Sequence, residues 1–269
     1  MKTKSRQSGI SMTETVIVIS TVVLLAVFGT PAVNSLLKSF ESAGGTRVMI
    51  SASFASARAI AAKEQRYVGV RFQKDLKGNQ YMIFIVQDPA LGAYFFRAVE
   101  GIKPIKLPDT VGVMDLMVRT DHRPDRWGAE NTDCESIKVE YLDDNKYIID
   151  TTTFSIIFSP SGHLVIHDVR VRNRDGVYQP NNGGPPDEIS MDEVFNSPIN
   201  INIYKIGMFI QDDYAEMGLG AEPSRSKFII YNKAEFEKKN RNERWSYLQE
   251  LLNRGPIYIN PYTGTIIGK

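Results

Sequence analysis

The sequence contains few of the residues that carry chemistry. Its 269 residues include one cysteine, Cys134, and three histidines. A single cysteine cannot form a disulfide within the chain, so we expect Cys134 to be a small buried or half-buried residue. No Gly-x-Ser-x-Gly elbow, phosphate-binding glycine loop, dinucleotide fingerprint, His-Glu-x-x-His or Cys-x-x-Cys motif is present. The sequence therefore predicts no catalytic residues and no cofactor.

Potential metal ligands are present, but their spacing is poor. His163 and His167 share a face only if the segment between them is a strand, and their Cα atoms then lie roughly 13 Å apart, too far for easy binding of one ion. Asp143-Asp144-Asn145 and Asp212-Asp213 offer oxygen ligands for calcium. Neither pair of acids matches a spaced calcium loop, so we interpret both as surface turns and predict no metal site.

The chain also lacks an excess of charge of one sign. It has 32 basic and 31 acidic residues, which excludes a general basic field for nucleic acid. A helix predicted over residues 233–253 is locally basic. Its Lys238, Lys239, Arg241 and Arg244 are candidate phosphate contacts. A solvated helix face has the same composition, so we expect nucleic acid to be an unlikely partner.

Long apolar runs are absent except at one place. No charge occurs between Glu14 and Lys38, and a helix over Thr15–Leu37 would be roughly 35 Å long, slightly more than the roughly 30 Å hydrocarbon core of a bilayer. This run predicts a transmembrane helix. The basic residues Lys2, Lys4 and Arg6 before it predict a cytoplasmic N-terminus and a C-terminal domain outside the cytoplasm. A secretory signal cut near Ala32 is the alternative.

Glu14 is an unusual residue beside such a run. As part of a capping box with Ser11 it would satisfy free backbone donors at a helix start. That interpretation leaves Gly9 and Pro31 unexplained.

The order of these features resembles the class III signal of type IV pilins and pseudopilins. A short basic leader ends at Gly9, and Ile10-Ser11-Met12-Thr13-Glu14 opens the apolar run. The resemblance implies that a prepilin peptidase cuts between Gly9 and Ile10 and methylates the new amine. Glu14 is then fifth in the mature chain and Pro31 twenty-second, the family's positions for a glutamate and a helix-kinking proline. Ile10 and Thr13 depart modestly from the family's usual residues.

The resemblance also implies how the chain acts. In the family, the glutamate neutralises the N-terminal amine of a neighbouring subunit as the helices bundle, which would register subunits through Glu14. The segments around residues 56–72, 154–166 and 256–267 further resemble H-type minor pseudopilins and FimT-like minor pilins. In those, a helix leads into a β-sandwich or a strongly curved sheet.

The expected organisation follows from these patterns. We expect a leader at 1–9, a transmembrane and assembly helix at 10–37, its amphipathic continuation at 38–65, and a β-rich periplasmic domain at 66–269. Gly44-Gly45 is either a bend or a break in the helix. Loop 172–198 is either a recognition loop or a spacer. Short strands are predicted at 67–72, 81–86, 93–99, 111–118, 136–141, 153–158, 163–171, 199–209 and 227–231.

Strands joined by turns predict an antiparallel sheet. The expected fold class is therefore α+β, with one long N-terminal helix packed on an antiparallel β-sheet or β-sandwich. The expected function is that of a non-enzymatic minor pseudopilin or minor pilin of the inner membrane, assembled with other pilins or pseudopilins into a type II secretion pseudopilus or a type IV pilus. The alternatives are a DNA-contacting minor pilin of an uptake pilus and a membrane-anchored periplasmic enzyme.

Overall fold

The first long element of the computed structural model is helix α1, Ala43–Glu64. The structure describes residues 12–13, 16–21, 43–119, 134–175, 189–212 and 220–267, and residues 16–21 are also helical. Gly44 and Gly45 are both helical residues of α1.

Helix α1 buries one face on a sheet. Ile50, Phe54, Ala57 and Ala61 recur at helical spacing and are fully buried. Phe54 packs edge-on against the rings of Phe158 and Phe228 (ring centroids 5.8 and 6.2 Å apart). These side chains hold α1 against the sheet along most of its length.

The main sheet forms around two central strands, β1 (Val68–Lys74) and β2 (Gln80–Gln87). They form a hairpin because Asp75 closes the turn: its Oδ1 accepts hydrogen bonds from the backbone N–H groups of Lys77 (2.9 Å) and Asn79 (2.8 Å). The other strands of this sheet are β3 (Phe95–Ala98), β4 (Ile105–Lys106), β8 (Phe154–Phe158), β9 (Leu164–Val165), β10 (Asp168–Val171) and β13 (Glu222–Pro223). The order is β13-β10-β3-β2-β1-β8-β9, with β4 beside β2.

Both faces of the main sheet are buried. The predicted alternation of β1 is confirmed, because Val68, Val70 and Phe72 lie on the side covered by α1. The opposite face carries a separate apolar cluster that includes Ile85 and Phe96. Here the two-residue strands β11 (Phe195–Asn196) and β12 (Phe209–Ile210) cover the sheet, and a π-turn (Asn200–Tyr204) lies between them in the chain.

A second, four-stranded sheet packs beside the first. Its order is β16-β15-β14-β5, and its strands are β5 (Val111–Met114), β14 (Lys227–Asn232), β15 (Ile257–Ile259) and β16 (Ile266–Ile267). Strands β6 (Met117–Arg119) and β7 (Cys134–Ser136) form a small hairpin-like pair beside it. The helices around a third apolar cluster are α2 (Asn145–Thr152), α3 (Lys233–Lys238), α4 (Arg241–Arg254) and the 3₁₀ helix Val139–Asp143.

The predicted fold class is wrong. The described residues form a mixed α/β structure with several short helices and several sheets, not one long N-terminal helix on a purely antiparallel sheet. Two strand pairs are parallel, β10 with β3 and β11 with β12. The sequence argument failed here because turns between successive strands say nothing about how strands far apart in the chain pair.

Three segments adopted structures other than the predicted ones. Residues 199–209 contain the π-turn instead of a long strand. In the predicted strand 136–141, only Ser136 belongs to a strand, and a 3₁₀ helix begins at Val139. The helix predicted over 233–253 is divided into α3 and α4, because Asn240 and Glu243 form a capping box that starts a new helix.

The predicted single-pass inner-membrane location is contradicted. No helix among the described residues is both long enough and apolar enough to cross a bilayer. Helix α1 has the length, but the polar Thr46 and Ser53 and the charged Arg47, Arg58 and Lys63 interrupt its apolar sequence. The predicted span at 10–37 falls mainly outside the described residues.

The central hairpin generates a first prediction. A Cβ atom on Gly69 would lie inside van der Waals contact of the Ile156 carbonyl oxygen on β8, so Gly69→Ala should lower the free energy of unfolding by about 3 kcal/mol. Gly78→Ala is the control: the new Cβ meets nothing within 4 Å, and only the φ of +82° opposes it, for about 1 kcal/mol. Urea unfolding measures both values, and equal losses would contradict the close approach of β1 and β8.

Candidate functional site

The residues predicted to direct processing and assembly are Gly9, Ile10, Glu14 and Pro31, and all four lie outside the described residues. Close to them, residues 16–21 form a helical segment with a largely aliphatic surface. Val16, Ile17, Val18 and Ile19 are each more than half exposed. Four consecutive exposed aliphatic side chains are unusual on a water-facing helix, so this segment is a candidate association surface.

The outward face of α1 carries a second apolar surface. Val48, Ala52, Ala55, Ala59 and Ala62 are exposed and follow one another at spacings of four and three residues. This alternation places them in a single row along the helix, on the side away from the sheet. We call this row the alanine seam. Small side chains in such a row let a second helix approach closely.

The four candidate nucleic-acid contacts are largely engaged within the chain. Lys239 lies 3.5 Å from Glu235 and Arg241 lies 3.4 Å from Asp143. The Arg244 guanidinium donates to the carbonyl oxygens of Leu142 (2.9 Å) and Phe236 (3.2 Å) and lies over the Phe236 ring. Arg244 therefore ties α4 to α3 and to the 3₁₀ helix, while Lys238 is exposed.

The acids considered for calcium have structural roles. Asp144 caps α2 by accepting a hydrogen bond from the Lys146 backbone N–H (2.8 Å). Asp212 is fully buried in an ion network. His163 and His167 flank the two-residue strand β9, and His167 packs on the ring of Tyr67. Within the described ranges no three acids, histidines or cysteines are grouped closely enough to hold a metal ion.

A buried network of arginines and carboxylates is the most unusual feature of the described chain. Arg71 on β1 is fully buried, and its Nη2 lies 2.5 Å from Asp212 Oδ1. Its Nη1 lies 3.3 Å from Glu222 Oε1. The third donor, Nε, reaches Gln73 Oε1 at 2.7 Å, and Gln73 in turn donates to the carbonyl oxygen of Ile210.

A second arginine meets the same glutamate. Arg119 on β6 places Nη2 2.9 Å from Glu222 Oε2 and Nη1 2.5 Å from Asp150 Oδ1. Ser155 on β8 donates to Glu222 Oε1 at 2.9 Å. Glu222 thus joins two guanidinium groups and a hydroxyl that come from three different strands.

An adjoining pair extends the network toward Cys134. Arg225 Nε lies 2.5 Å from Asp115 Oδ2, and its Nη2 lies 3.5 Å from the Cys134 sulfur. The Arg225 backbone N–H donates to the carbonyl oxygen of Ser155 (2.8 Å). Arg225 therefore connects the segment before β14 both to β8 and to Asp115, which follows β5.

Burial and ion pairing shift the pKa values of the network in opposite directions. Burial raises the pKa of Asp212 to about 6, while Arg71 and Arg119 act to lower it. Burial acts to lower the pKa of Arg119, but Asp150 and Glu222 more than offset it and raise that pKa above its usual value. Burial also raises the pKa of the Cys134 thiol, against the influence of Arg225, so this thiol is a poor nucleophile near neutral pH.

The arrangement suits a structural role. The carboxylates meet guanidinium groups inside the protein, and the network joins the main sheet, the β6–β7 pair and α2. Sequence reasoning missed it because Arg71 and Glu222 are 151 residues apart. The only local signal is that Arg71 and Gln73 occupy alternate positions of a strand whose other residues, apart from the terminal Lys74, are apolar.

Comparison with known proteins found no match to this chain among family models, characterised proteins or solved structures.

The network generates a second prediction. Glu222→Gln keeps the side-chain shape but leaves two buried guanidinium groups without their shared counter-charge, so the free energy of unfolding should fall by about 3 kcal/mol. Glu250→Gln is the matched control, because Glu250 pairs with Arg254 on the exposed surface of α4 and should change stability by about 0.5 kcal/mol or less. Urea unfolding measures the free energy of unfolding of both variants. A loss below about 1 kcal/mol for Glu222→Gln would contradict the linking role.

Proposed function

We propose that this chain is a non-enzymatic structural subunit of a pilin-like filament, processed between Gly9 and Ile10 by a prepilin peptidase. The mature subunit joins its neighbours through helical surfaces near its N-terminus, and Glu14 sets their register. The alanine seam of α1 is the observation that carries this proposal.

The seam supports helix–helix association for a geometric reason. Five small or apolar side chains lie in one row, and from Val48 to Ala62 that row contains no charge. A helix packed there would approach without displacing charged groups, and repeated four-and-three spacing matches the pattern at which helices pack side by side. An isolated subunit leaves this row in contact with water, whereas a bundled subunit would bury it.

The attachment of α1 to the domain makes the seam a fixed surface. Phe54 is fully buried between the two sheets. Arg58 Nε donates to the carbonyl oxygen of Gly162 at 2.9 Å. A contact made through the seam would therefore orient the whole domain, which is what a filament subunit requires.

The exposed aliphatic side chains of residues 16–21 support the same proposal. They lie just after Glu14 in the chain, where the family places its assembly helix. Burying four such side chains between subunits would stabilise association by several kcal/mol, at about 1.5–3 kcal/mol for each fully buried side chain. This surface and the seam are the two apolar helical surfaces that assembly would cover.

The seam provides the third prediction. Ala55→Glu places a charge at the centre of the row without touching the buried face of α1, so the subunit should fold normally but enter filaments at least tenfold less well. Ala234→Glu is the matched control, since Ala234 is an exposed alanine of α3 away from the seam. The measurement is the amount of each variant in filaments sheared from cells that express the complete pilus or pseudopilus machinery. Unfolding midpoints verify that both variants are folded.

Incorporation of both variants at the level of the unmodified chain would overturn the role of the seam. Equal loss in both would point to a general effect of added charge. Only a loss confined to Ala55→Glu supports association through the outward face of α1.

A further inference from the structure

A partly enclosed cavity of about 180 Å³ lies between α4 and the second sheet. Its walls are largely apolar and come from both layers. Leu248 and Leu252 of α4 face Ile229 of β14, and Trp245 and Ile137 close the sides. Leu248 and Ile229 are almost fully buried and form its base. Lys227 and Ser136, which are exposed, lie at its polar margin.

The wall formed by β5 and β6 is held in a strained shape. Leu116 has φ of +61°, a left-handed conformation that a leucine rarely adopts. Asp115 holds this turn, because its Oδ1 accepts from the Met117 backbone N–H (3.0 Å) and its Oδ2 meets Arg225. Strained backbone of this kind persists where surrounding contacts fix it, and it is concentrated at ligand sites. Leu116 and Met117 both line the cavity.

The size of the cavity sets the size of its occupant. A buried apolar cavity of about 150 Å³ binds benzene, so the space here accommodates one aromatic ring with room for a small substituent or a fused five-membered ring. An occupant adds van der Waals contacts with the apolar residues that line this space. A rigid, apolar molecule is the class of ligand that makes those contacts at the lowest entropic cost.

The chemistry of the walls favours aromatic over saturated rings. Trp245 contributes an aromatic ring to the lining and Met117 a thioether. Aromatic pairs gain about 0.5–1.5 kcal/mol beyond the area they bury, and sulfur–aromatic contacts add about 0.3–1.5 kcal/mol. We propose that this cavity is a binding site for a small free aromatic molecule of one ring or two fused rings. This site is independent of the alanine seam.

Trp245 reports binding directly. The chain has two tryptophans, Trp127 and Trp245, so Trp127→Phe in the full-length protein leaves Trp245 as the single tryptophan fluorophore. Iodobenzene is the probe because its iodine quenches tryptophan on contact. Iodocyclohexane carries the same heavy atom on a saturated ring and is the matched probe. Saturable quenching by iodobenzene is expected, with an affinity at least fivefold above that for iodocyclohexane.

Two neighbouring leucines provide matched variants. Leu252 lines the cavity, whereas Leu251, equally half-buried on α4, lines a separate depression beside Gly44 and Arg47. Leu252→Phe should fill the space and weaken iodobenzene binding at least tenfold, while Leu251→Phe should change it less than twofold. Unfolding midpoints establish that both leucine variants are folded. The comparison of iodobenzene with iodocyclohexane is made on the protein without either leucine substitution.

Three outcomes would overturn the proposal. Quenching that rises linearly with iodobenzene would mean collision without a site. Equal affinities for the two probes would remove the aromatic preference. Equal weakening by Leu251→Phe and Leu252→Phe would place the binding elsewhere on α4.

Discussion

Glu222 is the residue on which the described structure depends most. Its two carboxylate oxygens meet Arg71 of β1 and Arg119 of β6, and both arginines are buried. A buried guanidinium is costly unless it is paired, so each arginine must find its carboxylate or the layers cannot close. The requirement for complete pairing therefore fixes how the main sheet, the β6–β7 pair and α2 fit together. Apolar packing alone would tolerate several relative positions of these layers.

The consequences of that constraint reach the surface. With β1 fixed by Arg71, the opposite side of the strand presents Val68, Val70 and Phe72 to α1. Helix α1 is then held with its alanine seam outward, as the proposed assembly surface. On the other side of the network, Asp115 pairs with Arg225 and holds the strained turn at Leu116, which forms one wall of the proposed aromatic site. The proposed assembly surface and the proposed ligand site thus lie on opposite sides of the same buried network.

Local patterns predicted the local structure well. The alternation in β1, the hairpin to β2 and the strand at β8 could all be inferred, because they depend on neighbouring residues. Long-range pairing could not. Nothing near Arg71 indicates Asp212 or Glu222, and nothing near Phe95 indicates its parallel pairing with β10. The apolar run after Glu14 predicted a membrane span from composition alone. Most of that run lies outside the described residues, and the long helix that the structure describes is Ala43–Glu64.

In the proposed function, cleavage between Gly9 and Ile10 comes before association through the alanine seam and residues 16–21. The most direct test is the intact mass and N-terminal peptide sequence of the full-length chain, expressed with and without a prepilin peptidase. The proposal predicts a chain that begins at Ile10 only when the peptidase is present. A chain that stays uncut with the peptidase, or one that is cut near Ala32 regardless of it, would contradict the assignment as a pilin-like filament subunit.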